Sequence, residues 1–387
     1  MPSPFADLSP YRFIHPDAIS TPALVIYESI LDDNIEAMKN IVGRPDRWRP
    51  HVKTSKLLYT MRRLVDHGVR NIKCTTTLEL ATACRAGVKD VVLAYPVGSN
   101  AAKRVEELAA QFPAVTISAL VEHKSQLSLW NGKRVGLFID VNPGMNRTGI
   151  EIANTDGILS LARAILAKGL RFRGVHYYEG HQNQENLQER TQAAHAGYDV
   201  LMKLLKTLDS SGIFVEEVIT SGTPALPCAL SYVPFSQARF LHRISAGTVT
   251  YSDVTSVSQL PPSYGLRPAA VVLSGVVSHP TAGRITCDAG HKTVSADAGI
   301  PNCAVIGYPG MQPLKPSEEH LPIDLTDGTA TPAIGELLHL VPRHVCPTVN
   351  NFDHALIIRN GEIAGVERVT ARGREMPIGG SVERASV

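Results

Sequence analysis

The stretch Arg49-Pro50-His51-Val52-Lys53-Thr54-Ser55-Lys56 sets a histidine and two lysines between Trp48 and Leu57-Leu58-Tyr59. It reads as the end of a strand running into a helix, the position that faces the working end of a β/α sheet or barrel. A lysine held there, partly desolvated and beside other cations, has a lowered pKa. Its amine is then nucleophilic enough for a Schiff base. Two lysines in a strand-to-helix loop can equally be solvated charge, so the rest of the chain has to decide.

Other strand ends carry polar turns. Arg134–Val141 leads to Asn142-Pro143-Gly144-Met145-Asn146-Arg147-Thr148-Gly149, and Arg171–Tyr178 to Glu179-Gly180-His181. Phe214–Ile219 leads to Ser221-Gly222-Thr223-Pro224, and the next strand to Ser245-Ala246-Gly247-Thr248. Backbone N–H groups in small Gly/Ser/Thr turns make anion sites, and barrels often bind phosphate after their last two strands. Paired with a lysine across the mouth, these turns point to a phosphorylated cofactor that reacts with an amine.

A separate cluster, Arg343-His344-Val345-Cys346-Pro347-Thr348, sets histidine and cysteine two apart. In an extended segment both would lie on one face. Imidazole and thiolate together suit Zn²⁺, although a surface histidine beside a buried cysteine gives the same spelling. Ser317-Glu318-Glu319-His320 and Asp288-Ala289-Gly290-His291-Lys292 are two further polar knots.

The elements that must position these residues alternate. Apolar strands over 21–27, 71–74, 90–94, 116–121, 134–141, 171–178, 214–219 and 240–245 are separated by helices, of which 55–67, 77–86, 100–111, 159–168 and 186–211 are the clearest. With the run that ends at His51 this makes nine candidate strands, one more than a (β/α)8 TIM barrel takes, so one is misplaced or lies outside it. A doubly wound open sheet is the alternative. After Pro261-Pro262 helical periodicity stops. Short Val/Ile/Thr runs separated by Gly and Pro follow, with Asn360-Gly361 as a hairpin signal, and they read as an all-β domain. The expected division is a barrel over 21–255 and a C-terminal β domain over 256–387, joined by residues 1–20; residues 379–387 read as a frayed tail.

The chain has 387 residues, 44% hydrophobic and 19% charged, with a formal charge of +2. That balance offers no field for nucleic acid or an anionic membrane. No apolar run reaches the length of a membrane span, and the first twenty residues do not read as a secretory signal. Six cysteines without a CxxC pair form no disulfide framework, so a cytoplasmic protein is expected.

Taken in order, the opening segment, Arg147-Thr148-Gly149, Tyr178-x-Gly180-His181, Gly222-Thr223-Pro224, Gly247-Thr248, Asp288-x-Gly290-x-Lys292, Glu318-Glu319-His320 and His344-x-Cys346-Pro347-Thr348 resemble the D-threonine aldolase / D-serine dehydratase family. These are pyridoxal-phosphate enzymes of the alanine-racemase-like fold type (fold type III). The usual family form has histidine where Ser55 stands. The resemblance implies pyridoxal 5'-phosphate held covalently by Lys53, with His51, Arg147, Tyr178, Ser221, Gly222, Thr223, Gly247 and Thr248 around it. It implies a divalent metal (Zn, or Mn/Mg) on His344 and Cys346, and His181 as the candidate base. It also implies a head-to-tail homodimer in which the β domain of one subunit reaches the barrel mouth of the other. Alanine racemases carry an arginine facing the pyridine nitrogen where Ser245 stands, and its loss removes a racemase feature. The implied activity is cleavage of D-β-hydroxy-α-amino acids to glycine and an aldehyde, as in D-threonine aldolases. Cys346 leans instead toward the zinc-dependent D-serine and D-3-hydroxyaspartate dehydratases, since the aldolases usually have aspartate there. Racemase and non-catalytic cofactor carrier are the remaining alternatives.

Overall fold

The computed structural model describes residues 4–131, 134–326 and 328–376; the tail over 379–387 lies outside them. Its strands are β1 (Ala23–Tyr27), β2 (Asn71–Cys74), β3 (Asp90–Pro96), β4 (Thr116–Val121), β5 (Val135–Asn142), β6 (Ile150–Glu151), β7 (Arg171–Tyr177), β8 (Glu217–Thr220) and β9 (Leu241–Ile244). Then follow β10 (Ala270–Thr281), β11 (Arg284–Cys287), β12 (Cys303–Val305), β13 (Met311–Pro313), β14 (Leu321–Leu325), β15 (Leu337–Pro342), β16 (His354–Arg359) and β17 (Glu362–Arg368). The helices are α1 (Glu28–Val42), α2 (Leu58–Asp66), α3 (Thr77–Ala86), α4 (Ser99–Gln111), α5 (Thr155–Ala167), α6 (Leu187–Ser210), α7 (Leu226–Ser231), α8 (Val233–Ser236), α9 (Val254–Gln259) and α10 (Val345–Asn350).

Parallel strands run β2-β3-β4-β5-β7-β8-β9, with helical crossovers outside. The run from Trp48 to His51 closes the ring. Trp48 bridges Ile244 on one side and His51 bridges Lys73 on the other. The Arg49 N–H donates to the Ile244 carbonyl at 2.8 Å, and the Val52 N–H to that of Lys73 at 2.8 Å. The result is the (β/α)8 barrel expected. Local chemistry explains the crossovers. In α1, Ile30, Leu31, Ile35, Met38 and Val42 repeat at helical spacing and are buried, and Gly43 (φ 81°) ends the helix in the left-handed region. The Thr76 side chain accepts from the Glu79 N–H and caps α3.

The extra strand is β1. Its apolar run predicts a barrel strand, but it pairs antiparallel with β10 and parallel with β16. It therefore lies inside the second sheet, ordered β13-β14-β11-β10-β1-β16-β17, with β15 between β10 and β12. Leu24 to Tyr27 are all buried because the strand has neighbours on both edges and packing on both faces. One core joins the barrel's helical shell to β1 and β16, and a smaller one fills the sheet beyond β10.

The barrel interior is layered. At its base Arg49 donates to Asp90 at 2.7 Å and to Glu217 at 2.8 Å, and Arg173 and Arg243 reach the same two carboxylates. Gly136 makes room: a Cβ there would lie 2.6 Å from the Arg173 side chain. Val92, Leu120, Phe138 and Ile219 form an apolar middle. Above them, at the strand ends, the side chains become polar again. Among the described residues no helix is long and apolar enough to cross a membrane.

Candidate active site

The mouth of the barrel gathers the residues singled out in the sequence. Residues 52–55 form a turn rather than the start of a helix; α2 begins only at Leu58. Lys53 is exposed on this turn, so it is not the desolvated lysine the sequence leads one to expect. Its backbone N–H donates to His51 Nδ1 at 3.3 Å, and His51 Nε2 lies 2.9 Å from Thr75 Oγ1. Burial, then the charges of Lys53 and Lys73, push the His51 pKa well down. The imidazole is therefore neutral, with Nδ1 accepting and Nε2–H donating. Lys56, with a left-handed backbone (φ 56°), is buried against Glu79 at 2.8 Å. It braces the turn, as its distance from the strand end implies.

The anion-type turns after β8 and β9 are present and open. Ser221 Oγ and Thr223 Oγ1 are buried without a hydrogen-bond partner. Ser221 adopts φ 57°, a conformation that costs a non-glycine residue free energy. It is held by Glu179, whose carboxylate accepts from the Ser221 N–H at 3.1 Å and from the Tyr198 hydroxyl. Burial pushes the Glu179 pKa up to about 7. The glycines leave space: a Cβ on Gly222 would lie 3.0 Å from the Tyr178 ring, and one on Gly247 2.4 Å from the His51 carbonyl oxygen. Two unpartnered hydroxyls over a backbone that tolerates no further side chain fit a phosphate ester. Gly247→Ala is accordingly expected to displace the His51 backbone and weaken pyridoxal-phosphate binding about tenfold or more, read by cofactor titration; unchanged affinity would remove Gly247 from the cup.

Tyr178 is the hub of the mouth. The Arg147 guanidinium lies 4.8 Å from its ring centroid and Lys73 Nζ 5.4 Å. Gly149, at φ 97° and with a Cβ position only 2.7 Å from the Asn142 nitrogen, clamps the Arg147 loop onto β5. His181 Nε2 lies 3.0 Å from the Gln182 amide nitrogen, its Nδ1 is buried without a partner, and burial lowers its pKa. Among the described residues it makes no hydrogen bond to Lys53, His344 or Cys346.

His344 and Cys346 meet, though not on an extended segment. His344 precedes α10 and Cys346 lies in its first turn. Burial opposes charge on both. The charge each offers the other outweighs it, raising His344 to about 9 and lowering Cys346, with Asp297 assisting the first and Lys53 the second. His344 Nδ1 is 2.7 Å from Asp297 Oδ2, leaving Nε2 for another partner. Carboxylate, imidazole and thiol is a sequence of groups suited to a zinc ion. Among the described residues no third histidine, cysteine or carboxylate completes a metal cluster. Cys346 Sγ lies 3.2 Å from Thr54 Oγ1 and 3.9 Å from Thr248 Oγ1. The β domain thus reaches the mouth of its own barrel. The remaining two knots are one exposed ion-pair cluster, Lys292 with Glu318 and Glu319.

Sequence reading missed Asp297, Glu179 and a buried row beneath Tyr178. In that row Asp140 Oδ1 is 2.7 Å from His176 Nδ1, His176 Nε2 is 3.4 Å from Lys73 Nζ, and Lys73 donates to Ser245 Oγ at 2.6 Å. Alternation along β2, β5 and β7 places these side chains inside the barrel, and that pattern was the available signal.

Comparison with known proteins matches residues 26–251 to the alanine racemase N-terminal domain and 269–358 to a putative serine dehydratase domain. A D-threonine aldolase from Arthrobacter sp. is 26% identical over 92% of this chain and 93% of its own. The crystal structure of a D-threonine aldolase from Filomicrobium marinum superposes with a TM-score of 0.83 at 24% identity, covering 93% of this chain and 98% of that one. A D-threo-3-hydroxyaspartate dehydratase from Delftia sp. HT23 has the same fold, with a TM-score of 0.75 at 22% identity, covering 92% and 98%.

Proposed function

Because the chain belongs to the family of the alanine racemase N-terminal domain, we propose that it is a pyridoxal-phosphate- and divalent-metal-dependent lyase. Its substrates would be D-β-hydroxy-α-amino acids, cleaved to glycine and an aldehyde. The observation that carries this reading is the pair of unpartnered hydroxyls, Ser221 Oγ and Thr223 Oγ1, at the same mouth as Lys53 and Cys346. The similarity to D-threonine aldolases over nine-tenths of the chain supports it.

Pyridoxal phosphate, when bound, supplies an electron sink for charge left at the substrate α-carbon. A divalent ion on His344 and Cys346 would supply Lewis-acid polarisation of the β-hydroxyl. The chain's own residues do the rest. Lys53 would hold the cofactor through its exposed amine. Glu179 keeps the Ser221 turn in its strained form, so Ser221, Gly222, Thr223, Gly247 and Thr248 meet the phosphate without rearranging. Arg147 and Tyr178 would line the space for the cofactor ring, and neutral His51 supports the Lys53 turn. Asp297 fixes the His344 ring with Nε2 outward. His181, kept neutral by burial, takes the hydroxyl proton at Nε2, and the Gln182 amide has to give way to admit it.

A second reading rests on Cys346. A thiolate favours zinc over the harder Mn²⁺ or Mg²⁺, and Lys53 would then remove the α-proton while hydroxide departs; the released enamine takes up water and gives a keto acid and ammonia. Product analysis separates the two. With D-threonine, D-serine and D-3-hydroxyaspartate, glycine plus aldehyde is expected; a keto acid plus ammonia would replace the aldolase reading with the dehydratase one. Stripping the metal, checked by elemental analysis, should abolish turnover, and full activity in metal-free protein would remove His344 and Cys346 from the reaction. A head-to-tail homodimer and a cytoplasmic location complete the reading.

A further inference from the structure

Lys73 is used by nothing described so far. It is 2% exposed, on the strand beside Lys53, in the polar layer directly under the mouth. Its donors can be assigned. Ser245 Oγ donates onward to the Ser221 carbonyl at 2.8 Å and so accepts from Lys73. His176 gives its Nδ1–H to Asp140 and therefore turns the Nε2 lone pair toward Lys73. Two of three ammonium hydrogens are occupied, and one is free toward the Tyr178 ring.

The cofactor's shape decides what that hydrogen meets. In pyridoxal phosphate the ring nitrogen lies para to the aldehyde carbon and meta to the carbon bearing the phosphate arm. A ring tied to Lys53 at one point and to the Ser221–Thr223 and Gly247–Thr248 turns at another presents its nitrogen to the strand ends between them. Ser245 touches that turn, and Lys73 touches Ser245. We infer that Lys73 donates its third N–H to the pyridine nitrogen of the bound cofactor and keeps that nitrogen unprotonated.

This rests on the cofactor reading above and adds to it the residue that tunes the ring. Burial, then Lys53, lower the Lys73 pKa to about 7, while Glu179 and Asp140 act against the fall and Arg147 with it; His176 and His51 also face this group. The phosphate dianion brought by the cofactor favours the ammonium form further. A nitrogen held as an acceptor makes a weaker electron sink, so charge at the α-carbon has to be discharged quickly.

The test uses wild type, Lys73→Met and Lys73→Arg loaded with ¹⁵N-pyridoxal phosphate. Borohydride reduction and peptide mass mapping locate the bonded lysine, nitrogen NMR reports the ring nitrogen, and the visible band is titrated. The expected result is labelling of Lys53 in all three. The ring nitrogen should be unprotonated in wild type and Lys73→Arg and protonated in Lys73→Met, with the ring nitrogen's own titration midpoint about one unit higher in Lys73→Met. A folded Lys73→Met with Lys53 labelled and ring nitrogen and midpoint unchanged overturns the inference and leaves the cofactor reading standing. No labelled lysine in wild type overturns the cofactor reading itself, and labelling of Lys73 overturns both roles. If Lys73→Met does not fold, Lys73→Arg decides, because an unchanged fold with a protonated ring nitrogen there also refutes the proposal.

Discussion

Replacing Lys53 by alanine is expected to abolish the borohydride-reducible visible band and to lower lyase activity by about a thousandfold or more. The proposed phosphate cup is built from residues that do not depend on this side chain, so pyridoxal phosphate should still bind, more weakly and without a covalent link. Lys56 cannot substitute, because its amine is buried on Glu79 2.8 Å away and also faces the Ala371 carbonyl. Lys73 lies against the Tyr178 ring and is engaged with Ser245. Absorbance before and after reduction, with product analysis on the same sample, checks the expectation. A variant that keeps the band and the activity would show that another lysine holds the cofactor.

Glu217→Gln should be the most destabilising single change in the barrel. Glu217 is 1% exposed and meets Arg49, Arg173 and Arg243; Asp90 meets the same three, and the more exposed Glu216 reaches Arg173 at 3.0 Å. Burial alone would push the Asp90 carboxyl up, yet Arg49 and Arg173 hold it well below the ordinary range. Removing the Glu217 charge leaves three guanidinium groups against Asp90 and the more exposed Glu216. Breaking a buried ionic set in this way costs about 3–5 kcal/mol. Denaturant unfolding followed by tryptophan fluorescence reads the loss, because Trp48 lies in the closing strand and donates to the Ala246 carbonyl. An unchanged midpoint would mean that the layer is hydrated and its charges independent.

Both expectations touch residues of very different legibility. The helices over 77–86 and 99–111 and the strand over 116–121 stand out because apolar spacing and glycine stops agree there with the final contacts. The run over 21–27 reads equally well as any buried strand; periodicity carries no information about which sheet receives it. The Ser221 and Gly247 turns were visible as composition, and their chemistry depended on pairing across the barrel mouth. Lys73 was invisible in Asn71-Ile72-Lys73-Cys74, since a single lysine in a short apolar strand normally marks an exposed edge. Only barrel closure by Trp48–His51 turns that position inward. His344 and Cys346 were found for the wrong geometric reason: the first turn of α10 brings them together where an extended face was expected.

The place of β1 between β10 and β16 bears on how the protein is made. During synthesis Leu24 to Tyr27 emerge first, and their partners, residues 270–273 and 355–358, come only after the whole barrel has been threaded through. The barrel is in effect an insertion inside the sheet that carries Cys346. A nascent chain with a finished barrel still exposes an unpaired apolar strand, a hazard for edge-to-edge association until β10 and then β16 arrive. An N-terminal truncation past Tyr27 would then damage the distant β domain that carries Cys346 before it disturbed the barrel it adjoins in sequence.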